Sequence, residues 1–176
     1  MRRARLFVTV PAALVLAVAV GLLATGGSSA EPSKSQTLFR QTLLDDAKTT
    51  SAVKNLLRGG GIIAPDIEFA DLTGDGRSDA VVLVYTGGVA GAVALYVFST
   101  DGEAEESDLR AVYRSQRLYG ASAEVADGEL VVRTPRFTAG DDVCCPAKVV
   151  ERRYGWNKRA KTLRLRSSDE MDGPTG

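Results

Sequence analysis

The sequence predicts an α+β fold, with two short N-terminal helices followed by a mainly antiparallel β-sheet wound as a meander. Three observations predict it. Apolar residues fall near helical spacing up to residue 58, the period changes to two from Ile62 onward, and short turns rich in Gly, Asp and Asn separate the β-branched runs that follow. Such short connections favour antiparallel neighbours, and helices followed by strands read as α+β.

The elements follow in order. Residues 31–37, EPSKSQT, are polar and read as a flexible lead-in. Leu38, Leu43, Leu44 and Ala47 then approach helical spacing, and a second run sets Val53, Leu56 and Leu57 against Lys54 and Arg58. Thr50 or Ser51 can cap the second helix, and Gly59-Gly60-Gly61 ends it because glycine has no side chain to hold helical backbone. Strands are expected at 67–71, 80–85, 92–98, 108–119, 123–126, 130–133, 148–156 and 162–166. The turn signals are TGG at 86–88, TDG at 100–102, ADG at 126–128 and GWNKRAK at 155–161. In TLRLR, Leu163 and Leu165 alternate with Arg164 and Arg166, so one face is expected to enter the core and the other to carry guanidinium groups into water. Residues 38–166 read as a single domain, and the polar tail 167–176, SSDEMDGPTG, reads as disordered.

Ahead of this domain, Arg2, Arg3 and Arg5 precede an apolar run from Leu6 to Leu23 and then small residues, the order of a secretory signal peptide. Ser28 and Ala30 supply small side chains at −3 and −1, which places cleavage after Ala30; the alternative is a single uncleaved N-terminal membrane anchor. No Cys lies near the end of the run, so lipidation is not expected. The protein is therefore expected to be secreted or extracytoplasmic. Loss of residues 1–30 removes three of the 22 basic residues and no acid, which turns a balanced chain slightly acidic. The charge is unevenly spread. Glu103, Glu105, Glu106 and Asp108 cluster in the middle, whereas Lys148, Arg152, Arg153, Lys158, Arg159, Lys161, Arg164 and Arg166 crowd the last third around a single Glu151. Arg152, Arg153, Lys158, Arg159, Lys161, Arg164 and Arg166 are the candidate binding face for an anionic cell-envelope polymer or lipid headgroup, with a solvated strand face as the plain alternative. No nucleic-acid partner is expected, and oligomeric state is not readable.

The chain has no histidine. That excludes a His-dependent catalytic triad and removes the commonest transition-metal ligand. No pair of acids stands out from the charged background, so enzymatic activity is not expected.

Residues 71–79 read DLTGDGRSD. With Asp71 as position 1, Thr73 is 3, Asp75 is 5, Arg77 offers its carbonyl at 7 and Asp79 is 9. Calcium takes six to eight oxygens, and alternate residues of a curled loop can aim theirs at one point. Val82 stands where an EF-hand needs a bidentate Glu, so the loop is not an EF-hand. Asp71, Thr73, Asp75, Arg77 and Asp79 are the candidate ligands for calcium, the one cofactor the sequence suggests; the other reading is a Gly-rich turn with its carboxylates in solvent. FADLTGDGRSDAVVLV resembles the D-x-[DN]-x-DG-x-x-D loop of FG-GAP and VCBS-type repeats, a resemblance that implies a calcium loop between two strands. One copy cannot build a propeller.

The two cysteines, Cys144 and Cys145, are neighbours in GDDVCCPAK. Their Cα atoms lie about 3.8 Å apart across a trans peptide, below the usual disulfide range, so a bridge between them would be strained and would close a very small ring. Three readings stand: a vicinal disulfide that locks a knuckle beside Pro146, free or intermolecularly paired thiols, and a thiol-redox pair, since strained bridges are the more easily reduced. GDDVCCPAKVVERRYGW, with DLTGDGRSDAVV and YTGGVAGAVALYVFS, resembles small actinobacterial exported proteins and lipoproteins of the LppP/LprE type over roughly Phe69–Trp156. That resemblance implies an envelope-associated protein without established activity. The functional expectation is thus an exported, non-enzymatic, envelope-associated protein that binds an anionic surface component, with thiol redox through Cys144 and Cys145 as the alternative.

Overall fold

The computed structural model describes residues 32–88, 91–100, 109–142 and 145–173. The signal peptide read over 1–30, the acidic cluster at 103–108, Cys144 and the last three residues lie outside them. Helix α1 (Lys34–Asp45) begins inside the expected lead-in. The cause is a capping box. Ser33 Oγ accepts from the Gln36 N–H at 3.2 Å, and Gln36 Oε1 accepts from the Ser33 N–H at 2.7 Å. Helix α2 (Ser51–Arg58) is capped by the Thr50 hydroxyl and stops at Gly59. The Arg40 guanidinium donates to the carbonyls of Gly61 (2.8 Å) and Leu57, tying α1 to the end of α2.

Nine strands follow among the described residues, and they divide into two antiparallel sheets rather than one meander. In the first sheet, β1 (Ile62–Ile63) and β2 (Glu68–Ala70) pair with opposite halves of β3 (Asp79–Tyr85), which is followed by β4 (Ala92–Thr100) and β5 (Leu109–Ser115). The second sheet runs β6 (Ser122–Ala126), β7 (Glu129–Arg136), β8 (Lys148–Asn157) and β9 (Thr162–Asp172). The α+β class holds, with two corrections: the helices start at Lys34 rather than at the N-terminus, and the sheet is split.

The split explains the composition of β3 and β4. Ala80, Val82, Val84, Ala94, Tyr96 and Phe98 face Phe39, Leu43, Val53 and Leu57 of the helices. Val81, Leu83, Leu95 and Val97 face Leu130, Val132 and Leu163 of the second sheet. Covered on both faces, these strands read as continuous apolar runs instead of alternating ones. The order is helices, sheet, sheet, and Val131 and Glu151 on the outer side of the second sheet are still buried.

Specific contacts hold the layers in register. Both carboxylate oxygens of Glu68 in β2 accept from the Val125 N–H of β6 at 3.0 Å. The Thr162 hydroxyl of β9 donates to the Val112 carbonyl of β5 at 2.6 Å. Gly91 (φ 67°) passes so near Gly120 that a Cβ on it would lie 2.7 Å from the Gly120 Cα, which fixes glycine at this crossing.

Two further expectations change at the C-terminus. The tail does not fray at 167: it continues β9 to Asp172, where Ser167–Asp172 pair with Arg153–Lys148 of β8. Ion pairs Arg136–Glu170 and Lys148–Asp172 reinforce this ladder. Leu165, expected in the core beside Leu163, is 52% exposed, because β9 is the sheet edge and meets β5 only at its Thr162 end.

Candidate functional site

The 71–79 loop forms because its own carboxylates accept its backbone N–H groups. Asp71 accepts from Gly74 (2.6 Å) and Asp75 (3.2 Å) through Oδ1, and from Gly76 (2.9 Å) through Oδ2. Asp75 Oδ1 accepts from the Arg77 N–H at 2.9 Å. Gly74 (φ 72°) and Gly76 (φ 82°) supply the left-handed backbone that this curl needs. Asp79, the first residue of β3, is fully buried, and its Oδ2 accepts from the N–H groups of Leu72 and Thr73, both at 2.8 Å. The Ser99 and Thr73 hydroxyls lie close to this carboxylate, and its Oδ1 and the Thr73 Oγ1 are both buried. Burial pushes the Asp79 carboxyl above the ordinary value, against the Ser99 hydroxyl and the Thr73 and Leu72 N–H groups, which pull it down.

Of the five residues proposed from sequence as calcium ligands, Asp71 faces loop backbone, Asp75 gives one oxygen to loop backbone and also lines a notch, and Asp79 faces inward. Among the described residues no three carboxylate, Cys or His side chains converge tightly enough to hold a metal ion.

The basic residues separate into two groups. Arg133 bridges Glu124 (2.8 Å) and Glu151 (2.8 Å), and Arg153 donates to the other Glu151 oxygen at 3.0 Å. Burial alone would raise the Glu151 carboxyl, but the two guanidinium groups hold it below the usual carboxylate range. Arg152 donates to the Thr134 hydroxyl at 3.0 Å. Arg152 and Arg153 thus belong to the fabric of the second sheet. Lys158, Arg159, Lys161 and Arg164 are exposed and make no ion pair among the described residues, and Arg166 donates only to the Trp156 carbonyl at 3.1 Å.

The tip of this hairpin is held by Asn157, whose Oδ1 accepts from the Ala160 N–H at 2.8 Å. Lys161 occupies left-handed backbone (φ 48°), a conformation that glycine or asparagine adopts at lower cost.

The fold brings this tip against the 71–79 loop. Thr73 and Asp75 of the loop, Ser99 of β4, Arg110 of β5, Trp156 of β8, and Lys158 and Lys161 of the tip line one notch of about 260 Å³. Sequence reasoning found the loop and the lysines separately and missed Ser99, Arg110 and Trp156. The usable signal was Trp156, the single tryptophan of the chain, set two residues before a basic turn. A larger open groove of about 960 Å³ runs between α1 and β5 over Leu38, Phe98 and Leu109.

Near the cysteines, Asp141 closes the chain by accepting from Ala147 (2.9 Å) and Thr138 (2.8 Å) N–H groups, first of which holds its carboxyl below the ordinary value. Cys145 is half-buried and disulfide-bonded, while Cys144 lies outside the described residues. No helix among the described residues is long and apolar enough to cross a membrane.

No family model matches the chain, and no solved structure matches it. The chain is 31% identical over 134 residues to Lipoprotein CseA of Streptomyces avermitilis, an alignment covering 75% of this chain. It spans 59% of that protein's length, so the similarity is to part of a lipoprotein of an actinobacterium.

Proposed function

We propose that the protein is an exported, non-enzymatic, envelope-associated module, and that the β8–β9 tip docks it to an anionic component of the cell surface. The observation that carries this reading is the separation of its cations. Arg133, Arg152 and Arg153 are consumed inside the second sheet, whereas Lys158, Arg159 and Lys161 at the β8–β9 turn and Arg164 in β9 are exposed and make no ion pair among the described residues. Cations set that way produce a local positive field in an exported domain that is slightly acidic as a whole, and such a field attracts polyanions. The cation at Lys161 sits on costly left-handed backbone, a form of strain that gathers at functional positions. Export and envelope association take their support from the charged-apolar-small order of residues 1–30 and from the likeness to a lipoprotein.

The test is co-sedimentation of the protein with purified cell walls and with anionic-lipid vesicles. Wild type is expected to sediment with one of the two, and the variant Lys158→Glu/Arg159→Glu/Lys161→Glu to stay in solution. Equal sedimentation of wild type and variant would overturn the reading.

A further inference from the structure

The notch between the 71–79 loop and the hairpin tip has chemistry that bare charge attraction does not need. We infer that it is a subsite for one acidic sugar unit, a pyranose ring bearing a carboxylate or phosphate, of the anionic surface polymer; this rests on the docking reading above.

Four features carry it. Lys158 and Lys161 come from one tip and line the same hollow, so two ammonium groups can share one anionic substituent. Asp75 also lines the hollow, and the oxygen it does not give to the Arg77 N–H can accept from ring hydroxyls. Trp156 gives the wall an apolar aromatic surface of the kind that covers the C–H face of a sugar. Thr73 and Ser99, which also line the hollow, are buried with their hydroxyls near the Asp79 carboxylate and give the hollow a polar side. The hollow of about 260 Å³ lies just under the range of roughly 300–1,000 Å³ that takes drug-sized ligands, and so fits a single ring.

The fold provides its own reporter, because Trp156 is the only tryptophan. The experiment titrates the full chain with glucuronate, glucose 6-phosphate, glucose and inorganic phosphate, and reads tryptophan fluorescence. A saturable change is expected with glucuronate or glucose 6-phosphate. Which of the two binds tighter identifies the anionic group. Glucose and inorganic phosphate should each bind at least about tenfold more weakly, since each lacks half of the recognised chemistry, worth about 1.4 kcal/mol. Lys158→Gln/Lys161→Gln should weaken the acidic sugars by a similar factor with the melting temperature unchanged, because both side chains are exposed. Asp75→Asn should weaken the sugars while leaving inorganic phosphate equal or tighter. A flat response to all four compounds overturns the subsite, as does phosphate binding as tightly as the acidic sugars. A flat response with cell-wall sedimentation intact removes the subsite and leaves the docking reading standing.

Discussion

Asp79 shows how one residue can set both a loop and a pH response. Its Oδ2 takes two buried N–H groups, so Asp79→Ala should cost about 2–6 kcal/mol, from two donors left unsatisfied at about 1–3 kcal/mol each. Asp79→Asn keeps an oxygen for them. Because burial raises the folded-state value of this carboxyl above its unfolded one, the protonated form favours the folded state, and that contribution is present at low pH and lost as pH rises through the folded value. Urea denaturation at a series of pH values should therefore show Asp79→Asn gaining on wild type from about pH 4 upward. Asp79→Asn losing ground to wild type as pH rises would refute the buried, ionisable assignment. Lys161 is the second residue-scale test. Lys161→Asn should raise stability by about 1 kcal/mol by relieving left-handed backbone, while weakening surface docking. Much of this scale was not legible in sequence: the spacing of Asp71, Asp75 and Asp79 suggested convergence on an ion, but the same carboxylates are each within reach of nearby N–H groups, and spacing alone does not choose between these partners.

At the scale of elements, the β8–β9 hairpin is where local pattern and long-range pairing part. Ser167–Asp172 have no apolar alternation, so nothing local marks them as a strand. Their order comes from ladder bonds to β8 and from the pairs Arg136–Glu170 and Lys148–Asp172, partners 34 and 24 residues away. Hydrogen exchange should accordingly show slowed amides within 167–172, and slower exchange at low salt than at high salt, since exposed ion pairs are screened. Random-coil exchange there would contradict the strand. Helix α1 began early for a comparable reason: Ser33 and Gln36 form a capping box whose two members look like ordinary lead-in residues until their spacing of three is weighed. By contrast, the α2 cap and stop, the Asp127-Gly128 turn between β6 and β7 and the cores of most strands were readable, because each rests on residues adjacent in sequence.

For the whole molecule, the change of period at Ile62 made the α+β class legible, but not the stacking of two sheets. Residues 116–121 carry the chain from one sheet to the next through the Gly91–Gly120 crossing, a contact between segments about 30 residues apart that no local pattern announces. That stacking is also what makes the site. It carries the tip of the second sheet to the loop at the start of β3, joining two sequence features that are separated by some 80 residues. The central claim is that exposed cations at this tip dock the exported domain to a polyanion. The most direct measurement is the affinity for purified cell walls as salt rises from about 0.05 to 0.5 M. The account predicts a linear fall of log affinity with log salt, with a slope reduced in Lys158→Gln/Arg159→Gln/Lys161→Gln; binding indifferent to salt, or a slope unchanged by those substitutions, would contradict it.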